Sequence, residues 1–263
     1  MATHAQGLTP DQRRALDERG LVRLPGVIPR AEAEAMAGRL WSELARRHGI
    51  RRREPRTWRT ERPTDFQKLQ ASGVFRGMAS PRVVAVLDDL LGRERWARPR
   101  HWGQPLVCFP RAYGRWDVPS RGWHLDIPAD PRSRGSKIGR MFAILAPLAA
   151  KGGGTLVATG SHRVVETLVD KQGFQQSSGE VRKRLKVKHR WFARLMSSDR
   201  DRERVARFME AATEVDGVAV QVEEMIGEPG DVFLMHPAAL HAAAPNVLEA
   251  PRLVLAQFVY PKT

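Results

Sequence analysis

The residues best suited to chemistry begin with a histidine and an aspartate that are separated by one residue. His124 and Asp126 lie on a stretch whose composition predicts extended backbone, and extended backbone places alternate side chains on one face. An imidazole and a carboxylate on one face can bind a single metal ion from one side. Taken alone the pair is common in proteins, and it also fits a surface histidine beside a helix-capping aspartate.

A third ligand and a cation are indicated far downstream. The turn Pro229-Gly230 leads into an apolar segment at residues 231–235, and His241 follows it, with His236 as an alternative ligand slightly earlier. Arg252 opens another apolar strand. An arginine in that position needs an anionic partner if it is even partly buried.

Two histidines and one carboxylate form the facial triad that holds iron(II) and leaves its opposite face open. The open positions suit dioxygen and a 2-oxo acid, which binds through its keto oxygen and one carboxylate. The far carboxylate of 2-oxoglutarate then requires a cation, and a guanidinium meets it with two charge-assisted hydrogen bonds that lysine cannot reproduce. The residues that predict such a site are His124, Asp126, His241 and Arg252.

Four motifs, which together cover most of the chain, resemble those of the phytanoyl-CoA dioxygenase family. They are residues 8–27, Trp123-His124-Leu125-Asp126, the glycine-rich strand and turn at residues 153–162, and residues 236–252. The resemblance implies a double-stranded β-helix, iron(II), 2-oxoglutarate and dioxygen, and oxidation of an unactivated C–H bond. It also favours His241 over His236 as the distal ligand, because the spacing from His241 to Arg252 matches the family.

Two positions depart from the family pattern. Thr159 replaces the usual proline of a Pro-Gly-Ser-His turn, and Ala242-Ala243-Ala244 replaces a segment that usually carries a hydroxyl group. These changes concern the finer contacts to 2-oxoglutarate and leave the triad and Arg252 intact. The presence of Asp126 disfavours the halogenating variant, in which that ligand position is open to chloride.

Three further residues are candidates for the pocket. In the family's architecture Gln104, on the strand before the first iron motif, faces substrate or 2-oxoglutarate, although an ordinary strand amide would look the same in the sequence. Arg111 is a second candidate cation for the cosubstrate, near the pocket mouth. Trp123 fits either a wall of the substrate pocket or a core position.

The order of predicted elements indicates the fold. The 263 residues are enough for one good-sized core. Helical patterns dominate about residues 1–100, short strands broken by glycine and proline follow, and a charged, mostly helical insertion occupies about residues 164–212. We therefore expect one domain over residues 1–263, mainly β with flanking helices (α+β), with a double-stranded β-helix core of the jelly-roll, cupin-like type.

The charge is strongly positive, since Lys+Arg 44 against Asp+Glu 29 gives +15. Such a balance can indicate nucleic acid, an anionic membrane or an acidic partner. Arginines far outnumber lysines, however, as codon bias in a GC-rich genome produces, and no aromatics are interleaved with them, which disfavours nucleic acid. The densest basic run, residues 182–190, fits either a solvated face or a lid that recognises an anionic or carrier-bound substrate.

The remaining expectations concern location and activity. No segment approaches the roughly 20 apolar residues that span a bilayer, and a single cysteine, Cys108, fits a reducing cytoplasm. We expect a cytoplasmic enzyme that hydroxylates a small molecule, with bacterial secondary metabolism as its setting. The alternatives are desaturation or cyclisation by the same chemistry, or a non-catalytic basic binding protein on the same fold.

Overall fold

Helices make up most of the N-terminal part of the structure, a computed structural model that describes residues 7–111, 115–126, 139–171, 173–198 and 203–262. They are α1 Pro10–Arg19, α2 Arg30–His48, α3 Gln67–Ala71 and α4 Pro81–Leu91, with 3₁₀ turns at Pro55–Thr57 and Arg76–Ala79. A capping box begins α1, since Thr9 and Gln12 each accept a hydrogen bond from the other's backbone N–H.

The strands are short and pair in antiparallel fashion. They are β1 Leu21–Leu24, β2 Trp96–Ala97, β3 Gln104–Cys108, β4 Arg140–Ile144, β5 Thr155–Thr159, β6 Thr213–Val215, β7 Val218–Glu224, β8 Val232–Met235, β9 His241–Ala243, β10 Arg252–Phe258 and β11 Tyr260–Pro261. The first sheet has the order β1-β8-β4-β10-β3, the second has the order β6-β7-β5-β9, and β2 pairs with β11. The chain is thus a mixed helix and sheet protein with antiparallel sheets.

Successive side chains along the strands of the first sheet point to opposite faces, and each face packs into a different hydrophobic core. On β4, Met141 packs into a core with Leu40 of α2 and Leu87 of α4, whereas the next residue, Phe142, packs into a core that also contains Val157 of β5. The N-terminal helices therefore cover one face of the first sheet. The second sheet lies against its other face.

A second helical layer covers the outer face of the second sheet. It consists of α5 Ser161–Asp170, α6 Ser178–Lys188, α7 Arg190–Leu195 and a short π-helix at Ala206–Glu210, in the region of the predicted helical insertion. Leu156 of β5 and Val222 of β7 share a core with Val165 and Leu185 from these helices. Within the described ranges, no helix combines the length and apolar character needed to cross a membrane.

Candidate metal centre and cosubstrate cavity

Two histidines and an aspartate meet at the edge of the second sheet. His241 begins β9, and His124 lies opposite it as an isolated antiparallel bridge, in which each backbone N–H donates to the other residue's carbonyl at 2.9 and 3.1 Å. Asp126 Oδ1 is 3.6 Å from His124 Nε2, and Asp126 Oδ2 is 3.3 Å from His241 Nε2. One ligand atom from each residue lies within 4.8 Å of the others, so a single ion can contact all three.

Backbone carbonyls fix the orientation of both imidazoles. Nδ1 of His124 is 2.7 Å from the carbonyl oxygen of Gly122, and Nδ1 of His241 is 3.1 Å from that of Ala239. Because a carbonyl only accepts, each Nδ1 carries the proton and each Nε2 keeps a lone pair. A backbone carbonyl on the far nitrogen is typical of histidines that bind metals.

The atoms that face one another in this group lack partners. Asp126 Oδ2 and His241 Nε2 are both buried and make no hydrogen bond to any residue that the structure describes. Burial raises the pKa of Asp126, but the two adjacent imidazoles and the charge of Arg140 outweigh it and hold that pKa well below its ordinary range. An ionised carboxylate beside two imidazole lone pairs fits a divalent cation such as iron(II).

Arg252 is a buried cation at the start of β10, opposite Cys108 of β3. Its Nη1 donates to the carbonyl of Gly153 at 2.6 Å, whereas its Nε has no hydrogen-bond partner among the described residues. Burial lowers the pKa of the guanidinium, and the nearby carboxylate of Glu224 opposes that shift. A buried guanidinium with an unused N–H fits an anionic ligand such as the distal carboxylate of 2-oxoglutarate.

A cavity of about 490 Å³ connects the metal-compatible group with the arginine, and its lining includes His124, His241 and Arg252. Strand register explains why these residues share one space. Arg252 and Ala256 lie on one face of β10, and Ala256 pairs with Phe142, which faces the second sheet. The cavity therefore lies between the two sheets, and its volume is within the roughly 300–1,000 Å³ typical of small-molecule sites.

Of the three weaker pocket candidates, the structure brings only Gln104 into the described lining of the cavity. Arg111 lies outside that lining, where Nη1 pairs with Glu61 at 2.6 Å. Trp123 also lies outside it, buried in the core between the second sheet and the insertion helices, and its Nε1 donates to the carbonyl of Pro119 at 2.8 Å. Ligand contacts by Arg111 and Trp123 stay predictions that this arrangement does not favour.

His236, the alternative ligand, belongs to another cluster. Its ring lies 4.6 Å from that of His162, and its Nε2 is 3.5 Å from Glu166. Burial lowers the pKa of His162 to about 4 and that of His236 to about 3, so both rings are neutral. Within the described residues, the group that could hold a metal contains His241 and not His236.

Arg140 is a site residue that the sequence analysis missed. It begins β4, and its Nη1 donates to Asp126 Oδ1 at 2.5 Å. Its guanidinium carbon lies 5.2 Å from the ring centre of Phe142 and 4.8 Å from that of Phe258. The signal was present in the sequence, because Arg140 opens an apolar strand in the same way as Arg252.

One wall of the cavity was also missed. It comes from residues 62–67 and Gln70, in and just before α3. The sequence placed these residues only within a helical N-terminal part, and none of them was assigned to the site. A helix of five residues is too short to produce a recognisable hydrophobic period.

The basic run lies in a separate groove. Arg182, Lys183 and Lys186 of α6 line this groove, whose volume is about 610 Å³, and none of the run's residues is part of the described lining of the cavity. At the start of α6, Ser178 Oγ accepts a hydrogen bond from the backbone N–H of Leu125 at 2.9 Å. The helix is therefore tied to the backbone between the first two residues of the triad.

The site has two imidazoles and a carboxylate beside a small cavity, whose lining includes a buried arginine and which lies between antiparallel sheets. This arrangement is that of a non-haem iron, 2-oxoglutarate-dependent oxygenase. A model of the phytanoyl-CoA dioxygenase family matches residues 16–254. The chain belongs to the phytanoyl-CoA dioxygenase family. No curated protein sequence matches it.

Several solved structures share the fold at low sequence identity. HygX from Streptomyces hygroscopicus, with nickel and 2-oxoglutarate bound, is 21% identical, with a TM-score of 0.54 over 98% of this chain and 88% of that one. EctD from S. alaskensis, with 2-oxoglutarate and 5-hydroxyectoine, is 20% identical, with a TM-score of 0.57 over 99% and 78%. The epimerase SnoN, in complex with Fe3+, alpha ketoglutarate and nogalamycin RO, is 15% identical, with a TM-score of 0.54 over 95% and 82%.

Proposed function

We propose that this oxygenase hydroxylates an unactivated C–H bond of a small molecule, with His124, Asp126 and His241 holding iron(II) and Arg252 holding 2-oxoglutarate. The observation that carries the proposal is the convergence of three ligand atoms within 4.8 Å, beside a cavity whose lining also includes a buried guanidinium. Bound iron and 2-oxoglutarate supply the oxidising power with dioxygen.

The chain's own residues have distinct tasks in this proposal. His124 and His241 turn their Nε2 atoms toward Asp126, because their Nδ1 atoms bond to backbone carbonyls. Asp126 stays ionised and neutralises part of the metal's charge. Arg252 binds the distal carboxylate away from bulk water, which directs the reacting end of 2-oxoglutarate toward the three ligands.

We also propose that the two sheets form a double-stranded β-helix of the jelly-roll type and that residues 1–263 act as one domain. The support is that the proposed ligands lie at the second sheet, whereas Arg252 comes from the first. Neither sheet holds the site alone. The cytoplasmic location and the setting in bacterial secondary metabolism stay predictions.

Iron content and succinate formation from 2-oxoglutarate test the proposal. We expect one iron per chain and slow succinate formation without added substrate, both lost in His124→Ala, Asp126→Ala and His241→Ala. His236→Ala is the matched control and should keep both, because His236 contacts His162 and Glu166 instead. Iron retained in His241→Ala but lost in His236→Ala would show that the ligand assignment is wrong.

The reaction outcome needs a separate measurement. Hydroxylation places one atom of dioxygen in the product, whereas desaturation and cyclisation do not, so mass spectrometry after turnover in isotopically labelled dioxygen separates them. A non-catalytic binding protein would form no succinate under any condition. The unpartnered ligand atoms beside the cavity argue against that alternative.

A further inference from the structure

The two ends of the cavity differ in charge. Near Arg252 lies a second guanidinium, that of Arg62, whose Nη2 donates to the carbonyl of Ala244 at 3.4 Å. A different part of the lining carries three side-chain amides, those of Gln67, Gln70 and Gln104. We call these three residues the amide wall.

The local structure explains why the three amides face one space. Gln67 and Gln70 are three residues apart on α3, so they lie on the same face of the helix. Gln104 begins β3 and Cys108 ends it, opposite Arg252, which places Gln104 about 13 Å along the strand from the arginine end. Gln104 is therefore well separated from the place where Arg252 would bind a carboxylate.

Most of the polar groups available to a substrate at this end are neutral. Gln67 and Gln104 are exposed to the cavity and Gln70 is partly buried, none of the three side-chain amides makes a hydrogen bond to a described residue, and each offers two donors and an acceptor. Of the charged groups in the lining, Arg140 pairs with Asp126, whereas the exposed carboxylate of Asp65 lies 3.9 Å from Arg47.

We propose that the amide wall binds a neutral, polar small molecule that carries hydroxyl or amide groups. This rests on the proposed function, in which 2-oxoglutarate occupies the arginine end. The rings and chains of Phe66, Leu106 and Phe142, also in the lining, can cover the carbon face of such a molecule while the amides bind its polar edge. A long aliphatic chain would remove water from the three amides without replacing its hydrogen bonds, which disfavours its binding.

Stimulation of 2-oxoglutarate consumption by the iron-loaded protein tests the inference. The probes are neutral polyols, methyl glycosides and cyclic amides, each paired with an aliphatic acyl thioester of the same carbon number. We expect stimulation by members of the polar set only. In Gln67→Leu and Gln104→Leu, half-maximal stimulation should require at least roughly 10-fold more of the same compound, whereas Gln175→Leu, an exposed glutamine outside the cavity, should behave as the parent.

The outcomes separate this inference from the proposed function. Three results would overturn the inference that the amide wall binds substrate. They are stimulation by thioesters alone, no stimulation by any compound of the polar set, and equal stimulation of the parent and the leucine variants. Failure to bind 2-oxoglutarate or to form succinate without substrate overturns the proposed function instead. If a leucine variant does not fold, Gln67→Asn and Gln104→Asn replace it, because asparagine keeps the amide on a shorter side chain. These variants should raise the concentration for half-maximal stimulation by a smaller factor.

A different observation assigns a role to Arg140. Its Nη1 binds Asp126 Oδ1, while Asp126 Oδ2 faces His241 Nε2 at 3.3 Å without a hydrogen-bond partner among the described residues. Oδ1 also lies 3.6 Å from His124 Nε2, so the two oxygens differ in their hydrogen bonding: among the described residues Oδ1 has a hydrogen-bond donor and Oδ2 has none. The guanidinium is itself buried between Phe142 and Phe258, so it cannot easily move away.

We infer that Arg140 is a positioning residue that keeps Asp126 a one-oxygen ligand. A carboxylate can bind a metal through one or both oxygens, and a second Asp126 oxygen on the metal would occupy a position that 2-oxoglutarate or dioxygen needs. A charge-assisted hydrogen bond to Oδ1 holds that oxygen away from the ion.

Arg140→Met and Arg140→Lys test this role by binding and spectroscopy rather than by turnover alone. In Arg140→Met we expect iron to bind, 2-oxoglutarate to bind at least roughly 10-fold more weakly, and the visible charge-transfer absorption of the iron–2-oxoglutarate complex to shift. Arg140→Lys should recover part of the affinity. The matched control is Arg23→Met, which removes an arginine from Asp231 at the same 2.5 Å distance but outside the cavity lining. A folded Arg140→Met or Arg140→Lys variant with unchanged absorption and 2-oxoglutarate affinity would overturn the inference.

Discussion

At the scale of single residues, Arg140 and Arg252 differ in how their charges are balanced. Arg140 forms an ion pair with Asp126, whereas the recorded hydrogen bond of Arg252 goes to the neutral carbonyl of Gly153. A buried cation bonded only to a neutral group is stabilised strongly when an anion arrives. Arg252 therefore suits an anionic group such as one carboxylate of 2-oxoglutarate.

Arg252→Ala should raise the 2-oxoglutarate concentration required for half-maximal succinate formation by roughly 10- to 1,000-fold, or about 1.4–4 kcal/mol. Arg252→Lys should recover only part of this loss, since one ammonium cannot reproduce the two-pronged contact. Titration of 2-oxoglutarate against the iron-loaded variants measures the effect. Arg111→Ala is the control, because Arg111 pairs with Glu61 outside the described lining. An unchanged requirement in Arg252→Ala would show that this arginine is structural.

The residues that could be predicted share a local signal. His124 and Asp126 were identifiable from their spacing, and Arg252 because a cation in an apolar strand is unusual. Arg140 also opens an apolar strand, as Arg252 does. Its pairing with Asp126 could not be predicted, because the sequence between the two residues does not indicate how they are placed relative to each other. Gln104 was identifiable only through the family resemblance, since an amide at the start of a strand has many explanations.

At the scale of elements, α6 supports the triad from outside. Ser178→Ala removes the acceptor for the N–H of Leu125, and an unpaired buried donor costs about 1–3 kcal/mol. We expect iron to bind roughly 10-fold more weakly in this variant. Ser177→Ala is the matched control. It removes the helix cap from Glu180 and should lower stability by about 1 kcal/mol without changing iron affinity. Equal iron affinity in the two variants would contradict the support role.

The basic side chains of α6 are not expected to affect the metal site or the cavity. Because these side chains line a separate groove, reversing the charges of Arg182, Lys183 and Lys186 to glutamate should leave iron binding, 2-oxoglutarate binding and turnover of small substrates unchanged. Kinetics at low and physiological salt measure this, since exposed charges are screened over about 8–10 Å. A loss of turnover that diminishes as salt rises would instead support the lid over an anionic or carrier-bound substrate.

The sequence did not predict elements that form only because they pair with another strand. β9 has three residues and exists because it pairs with β5 on one side while His241 bridges His124 on the other. Its sequence, His-Ala-Ala, has no strand preference. By contrast, α1 was predictable, because the two residues that form its capping box, Thr9 and Gln12, lie three positions apart in the sequence.

At the scale of the whole molecule, the pair His162 and His236 links stability to pH. Both are buried and neutral in the folded chain, and charged groups near them are Arg163, Glu166 and Asp17. Their folded pKa values, about 4 and about 3, lie below the unfolded value of about 6.5. The unfolded chain therefore binds more protons below pH 6.5, and the free energy of unfolding should fall as the pH decreases from about 6.5 toward 4.

Denaturant unfolding of the metal-free protein across this pH range measures the effect. The double variant His162→Gln, His236→Gln should lose less stability on acidification than the parent, by on the order of 1–3 kcal/mol. His48→Gln, at the half-exposed end of α2, is the control and should keep the parent's slope. Identical slopes for the parent and the double variant would exclude the histidine pair as the cause.

The bridge between His124 and His241 also has a consequence for protein synthesis. A nascent chain that has not yet released β9 from the ribosome carries only the first two residues of the triad, and Arg252 follows later still. In the proposed site, the third ligand is therefore available only after residue 241 has left the ribosome. Translation products that end before residue 241 would lack that proposed ligand and should not bind iron at this site.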